Sequence, residues 1–387
     1  MASRSAEAAP ELSLIPNSSL IFVTPFDGHV RVEGQQLFGK PAGETPITGH
    51  VTLSLPKART LKKLYVELIS KQFLVIGTCA HTFGIRHCSS NLIDRPQALK
   101  AGTHTFPFAV TMPAKAASSD ISYHGRTLNR LVAYAEGVAS RSRKMTAEVP
   151  LNIVSLHYDP TGVPPSFSLE SSAMHEHLGI VDIDLSSKYL MVSGYLQLAF
   201  RQFTVSPVKM VDVRVDIVQQ TECTRLDEPG KKRASHTVTI PVWKASEDAT
   251  CAEDLSKSTE VTVSKQMRLP DESKLLPTTP NSAITGLRID HRIEVTLVYT
   301  LPQMGDTQLE HTIKSGATIS SCHCTLETFQ LPAYALDERA DEPNASNATK
   351  EALCLCSVPE AVASVMYGAP VERVDAGIPA HDIKLNR

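Results

Sequence analysis

The segment Leu99–Pro113, LKAGTHTFPFAVTMP, constrains the fold most. After an Ala-Gly turn, His104, Phe106, Phe108, Val110 and Met112 fall on one parity. Thr103, Thr105, Pro107, Ala109 and Thr111 fall on the other. Successive side chains of a strand point to opposite faces, so a period of two marks a strand with one buried face. Pro113 stops the run. Pro107 cannot donate to a hydrogen-bond ladder, which places this strand at a sheet edge or a bulge.

The same grammar fills most of the first 330 or so residues. Val51, Leu53 and Leu55 alternate with Thr52 and Ser54, and LKKLYVELISKQFLVIG is long and rich in β-formers. No stretch there carries a helical period over three turns. The pattern also rhymes. TEVTVSKQMRLP alternates and stops at Pro270, as the opening run stops at Pro113. A long strand follows each: RTLNRLVAYAEGVAS in the first half and LRIDHRIEVTLVYTLP in the second. In the latter, Ile289, Ile293, Val295, Leu297 and Tyr299 share a parity that includes His291. Each half closes on a further strand, EVPLNIV and then GATISSCHCTLETF.

Many short alternating strands bounded by Gly, Pro, Asn and Asp turns predict a sandwich or barrel in each half. The chain is therefore read as all-β, with two tandem antiparallel β-sandwich domains and a flexible C-terminal tail. Residues 1–19 are a flexible N-terminus and 20–156 the first sandwich. Residues 157–178, rich in Pro, Ser and Gly, are a linker; 179–335 form the second sandwich. Residues 336–387 are a mostly flexible tail. Within the tail, Ser357 and Glu360 fit a capping box, Pro359 an early helical position and Gly368 a stop, predicting a short helix over 358–367 against the alternative of a frayed end.

Composition bounds the function. A net charge of −3 removes the general electrostatic argument for nucleic acid. No apolar run reaches the roughly 20 residues of a membrane span. The first residues, MASRSAEAAPELSLIPNSS, have no apolar h-region, so a cytoplasmic chain is expected, with its eight cysteines reduced. The sequons at Asn17, Asn344 and Asn347 would then go unused.

GQQLFGK, Gly34–Lys40, fits the start of a P-loop, but Pro41 stands where Ser or Thr is needed and turn and strand follow instead of a helix. His175-Glu176-His177 lies in the expected linker without a fixed third ligand, and a solvated connection is expected. Cys322-His323-Cys324 and Cys354-Leu355-Cys356 lack zinc-ribbon spacing. Cys322 and Cys324 are expected in the core as small apolar residues, and Cys354 and Cys356 offer a weak acylation reading. His291 is expected to be buried and hydrogen-bonded. No catalytic residue, metal ligand or cofactor is assigned, and the chain is read as a non-enzyme. Two basic clusters remain: Lys57, Arg59, Lys62 and Lys63, and Lys231, Lys232 and Arg233. Such charges either solvate turns or bind the phosphates of a phosphorylated tail or an anionic lipid head. Ser235, close behind Arg233, is a candidate phosphosite whose charge would oppose those contacts.

TPITGHVTLSLPKARTLKKLYVEL, then AGTHTFPFAVTMP, then the long strand with AYAEG, resemble an arrestin-like N-domain. HRIEVTLVY, SGATISSCHC and LPAY resemble the C-domain of the same family, the α-arrestin branch being nearest in flavour. The ordered set spans about residues 20 to 335. The resemblance implies immunoglobulin-like sandwiches in tandem and an adaptor that links cytosolic parts of membrane transporters or receptors to endocytosis, ubiquitination or endosomal sorting. Recruitment from the cytoplasm to plasma membrane or endosomes, with peripheral membrane contact, is compatible with it. Many α-arrestins recruit a HECT-type ubiquitin ligase through PPxY motifs. Here Pro164-Pro165-Ser166-Phe167 has Phe for Tyr, and Leu331-Pro332-Ala333-Tyr334 has Leu for the first Pro. Direct recruitment is therefore expected to be weak, or to run through another adaptor. A retromer-type cargo subunit and a secreted carbohydrate-binding sandwich stay open as alternatives.

Overall fold

In the computed structural model, the residues described are 9–23, 45–76, 78–113, 115–122, 124–138, 144–155, 166–203, 208–224, 233–255, 260–280, 283–324 and 356. The first half runs β1 (Glu11–Pro16), β2 (Leu20–Val23), β3 (Thr45–Leu55), β4 (Arg59–Leu61), β5 (Lys63–Ile76), β6 (Cys79–Ile93), β7 (Gln97–Leu99), β8 (Gly102–Met112), β9 (Ile121–Ser122), β10 (Gly125–Glu136) and β11 (Met145–Ser155). The second runs β12 (Phe167–His175), β13 (Gly179–Ser187), β14 (Tyr195–Phe203), β15 (Lys209–Thr224), β16 (Arg233–Lys244), α1 (Ala249–Leu255), β17 (Glu260–Arg268), β18 (Leu287–Thr300) and β19 (Gln308–Ala317).

The architecture is all-β, as the alternation dictates. In the first half a sheet ordered β1-β3-β8 and a six-stranded one ordered β2-β11-β10-β5-β6, with β9 added beside β10, share a single core, and β4-β7 form a small separate ladder. In the second half a sheet ordered β12-β13-β14-β17 and one ordered β16-β15-β18-β19 share another. Inward-facing Val51, Leu53, Leu68 and Leu131 fill the first core, and Leu185, Phe200, Val215 and Leu297 the second. Burying each such side chain contributes about 1.5–3 kcal/mol before the entropy of ordering it is subtracted.

The opening segment lies as its pattern requires. Phe108, Val110 and Met112 are buried while Thr105, Pro107, Ala109 and Thr111 are exposed. β8 is an edge strand, which leaves Pro107 no ladder bond to break on its outer side. The rhyme extends to position. β17 is likewise an edge, and β10 and β18 are both interior strands.

Two expected boundaries move. Within residues 1–19, expected to be flexible, β1 pairs antiparallel with β3 (Leu12 opposite Leu53, Leu14 opposite Val51), and Leu14 enters the first core. Six residues hold because the partner strand supplies the ladder. Residues 157–178, expected as a linker, hold β12, which pairs with β13 along its full length. Exposed Ser168 and Glu170 alternate with Phe167 and Leu169, so a composition that suggests a linker also suits a half-solvated strand. Phe167 and Leu178 belong to the second core. Among the described residues no helix is long and apolar enough to cross a membrane.

Candidate functional site

Three places collect polar chemistry: the outer face of the six-stranded sheet, the seam between the two cores, and one end of the second sandwich. On β5, Leu64, Val66 and Leu68 point into the core, so Lys63, Tyr65 and Glu67 take the opposite face. Register then places Tyr134 of β10 directly across from Tyr65. Their rings stack with centroids 4.9 Å apart. The Lys63 ammonium lies 4.7 Å from the Tyr65 ring centre, and that of Lys144 lies 3.5 Å from the Tyr134 ring centre. Lys144 also donates to the Tyr65 hydroxyl. Burial, and then the nearby Glu67 carboxylate, raise the Tyr134 phenol above its ordinary range, while Lys144 opposes this.

Two acids on this face are engaged in ion pairs, and Glu136 of β10 stands opposite Lys63 in the β5–β10 register. Glu67 pairs with Arg86 at 3.4 Å and Glu148 with Arg130 at 2.8 Å. Arg126 stacks over Phe73 at 4.7 Å. No carboxylate among the described residues lies within ion-pair distance of Lys63 or Lys144. The result is an aromatic platform under two cations whose remaining N–H donors can meet an external anion.

Of the basic residues picked from sequence, Lys63 joins this platform. Lys57 and Lys62 are exposed, and Arg59 is half-buried on β4. Lys231 and Lys232 lie outside the described residues, as do the side chain of Arg233, Pro164, Pro165, Leu331, Pro332, Tyr334 and the expected helix over 358–367. Ser235 is exposed on β16, opposite Glu222 of β15, so a phosphate there would meet a like charge across the ladder. Lys144 joins the platform as well, and its one sequence signal is the basic run RSRK that ends in it. Its convergence on Tyr65 depends on the β5–β10 register.

Along the seam, Leu74 and Ile76 of β5 pack against Cys223 of β15 and Leu287 of β18. Gln72, fully buried, donates to Thr285 Oγ1 at 3.1 Å and accepts from the Gly286 backbone N–H at 2.9 Å. Ile284 N–H donates to the Lys115 carbonyl at 2.8 Å. Burial pushes the Cys223 thiol up to about 11. Gly286 is demanded by packing: a Cβ there would sit 2.5 Å from the Thr224 carbonyl oxygen and 2.6 Å from Leu74 Cδ1.

Beside the seam lies a cleft of about 330 Å³, walled by Asp120 and Ser155 from the first half and by Glu272, Thr278, Ser321 and His323 from the second. Burial alone pushes the Asp120 carboxyl up to about 7, although the residue as a whole keeps some exposure. Cys322 is buried in the second core, as expected, with its thiol 3.7 Å from Glu272 Oε2. His323 Nδ1 is buried without a hydrogen-bond partner. Such an orphan costs about 1–3 kcal/mol.

At the end of the second sandwich, His175 of β12 meets His311 of the facing sheet at 4.5 Å between ring centres, with His177 and Tyr299 about them. Its Nδ1 accepts the backbone N–H groups of His177 and Leu178, both at 3.3 Å. Burial, then the neighbouring His311 and His177, lower its pKa, against a raising contribution from Glu176. The expected solvated connection is thus a packed imidazole cluster. His291 is buried, with ring nitrogens 2.9 Å from Thr278 Oγ1 and 3.3 Å from Gln219 Oε1, as its strand parity implied. In the first core, Ser70 Oγ lies 2.6 Å from His87 Nε2 and donates to Asn129 Oδ1. Ser70 is fully buried, so the contact satisfies polar groups in the core and presents no hydroxyl to a substrate. Cys356 packs against the second core and accepts from Ser193 Oγ at 3.2 Å. No protein-family model matches this chain, and no curated protein matches its sequence at a significant level.

Proposed function

We propose that this chain is a non-enzymatic, arrestin-like adaptor that binds acidic or phosphorylated cytosolic segments of membrane transporters or receptors and directs them into endocytic or endosomal sorting. The observation that carries the reading is the Tyr65–Tyr134 platform with Lys63 and Lys144 held over it. Cation–π contact orients both ammonium groups while leaving their remaining N–H donors for phosphate or carboxylate oxygens. The broad β-surface supplies area for an extended peptide, and the charges supply selectivity and association rate. Ubiquitin-ligase recruitment is a secondary property of this reading and rests on the degenerate motifs at Pro164–Phe167 and Leu331–Tyr334.

The test is fluorescence anisotropy of a labelled acidic peptide, phosphorylated and not, titrated with the full chain. The double variant Lys63→Ala/Lys144→Ala should lose about tenfold or more in affinity, since a hydrogen bond to a charged group contributes about 1.5–3 kcal/mol. Its dependence on ionic strength should flatten. Phosphopeptide binding equal to that of the native chain would remove the platform as the recognition face. Proximity labelling in the native cell then distinguishes a transporter neighbourhood from any other.

A further inference from the structure

Among the described residues, one group of mixed chemistry brings a carboxylate, a thiol and an imidazole together: Glu272, Cys322 and His323, with ligand atoms all within 4.8 Å of one another. Two turns hold them. Asp271 Oδ1 accepts the N–H and hydroxyl of Ser273, which fixes the turn that carries Glu272. Ser321 Oγ accepts the His323 N–H, and Ile319 and Thr278 exchange backbone and hydroxyl bonds just upstream.

A zinc-class ion bonds sulfur at about 2.3 Å, imidazole nitrogen at about 2.0–2.1 Å and carboxylate oxygen at about 2.0–2.2 Å. At tetrahedral angles those lengths place ligand atoms about 3.3–3.7 Å apart. The Cys322 Sγ to Glu272 Oε2 separation is already 3.7 Å, and no pair has to close by more than about 1.5 Å to reach a coordinating triangle. A second, independent observation points the same way: His323 Nδ1 is buried with no hydrogen-bond partner, so the ring has bonding capacity that the protein leaves unused. The third is access. Glu272 and His323 line the 330 Å³ cleft between the halves, which leaves a route in and room for a fourth ligand.

We propose that Glu272, Cys322 and His323 form a binding site for a zinc-class divalent transition metal, opening onto the cleft at the boundary of the two halves. The donor set selects the ion. A thiolate disfavours calcium and magnesium, which take oxygen, and the imidazole suits zinc, cobalt and nickel. Binding displaces the thiol proton to solvent: the S–H bond breaks, the sulfur lone pair bonds the metal, and affinity rises with pH.

Cobalt(II) alone is the probe, titrated into the full-length, metal-stripped, reduced chain. One equivalent should bind with a thiolate-to-cobalt charge-transfer band in the near ultraviolet, and zinc should displace it. Cys322→Ser should abolish the band. Glu272→Gln and His323→Gln should each weaken binding about tenfold or more while leaving the circular dichroism unchanged. Cys322 is a core residue, so if its variant fails to fold the Glu272 and His323 variants decide the matter. Absence of cobalt binding, or a band and affinity unaltered by Glu272→Gln and His323→Gln, would overturn the proposal.

Discussion

Gln72 is the place to test what joins the two cores. Its amide bridges residues 213 and 214 positions away, donating to Thr285 Oγ1 and accepting from Gly286 N–H. Replacement by Leu puts an apolar side chain of similar size in its place and removes both bonds. Thr285 loses little, because its hydroxyl still donates to the Leu287 carbonyl at 3.1 Å and accepts from Leu287 N–H at 3.0 Å. Gly286 N–H has no such second partner, and its bond to Gln72 is buried. Stranding a buried donor costs about 1–3 kcal/mol. At about 1.4 kcal/mol per decade, that is a loss of roughly 5-fold to 150-fold in the opening equilibrium of the seam. Amide hydrogen exchange of the full chain is the assay. Gly286 and Ile284, whose N–H groups both cross the seam, should lose protection by that factor in Gln72→Leu, while the amides of β13 and β14 keep theirs. Trp243, the single tryptophan, packs against the second core, so its fluorescence should report that core intact. Unchanged exchange at Gly286, or an equal loss of protection throughout β13 and β14, would refute the assignment of Gln72 as a local clamp.

Asp120 makes stability pH-dependent. Its folded pKa of about 7 lies above the ordinary 3.8, so the unfolded chain releases the proton first and stability falls as pH rises between about 4 and 7. The slope is at most about 1.4 kcal/mol per pH unit, and Asp120→Asn should flatten it in urea titrations across that range. His175 behaves in the opposite sense. Its folded pKa is depressed, so its contribution is present above the ordinary imidazole value and lost as pH falls through the folded one. His311→Gln should move the His175 titration upward in NMR by removing the neighbouring ring that lowers it, and an unmoved titration would assign the depression to burial and His177 alone.

Sequence alone determined what local covalent geometry controls. The period of two named the buried faces of β8 and β18 and the buried His291, because alternation is a property of each strand by itself, and the missing N–H of Pro107 narrowed its strand to an edge or a bulge, of which the structure shows the edge. The structure holds one buried cluster built from β1–β11 and another built from β12–β19. Short segments escaped for the same reason. Glu11–Pro16 and Phe167–His175 are strands only because β3 and β13 supply their hydrogen bonds. Only the tertiary structure decided the sites. Lys144 reaches Tyr65 across 79 residues, Gln72 reaches Gly286 across 214, and Cys322 reaches Glu272 across 50. Tyr65 and Gln72 both lie on β5, where a one-residue slip in register would turn each to the opposite face, and Glu272 and Cys322 lie on turns that only the packing of the two sheets brings together.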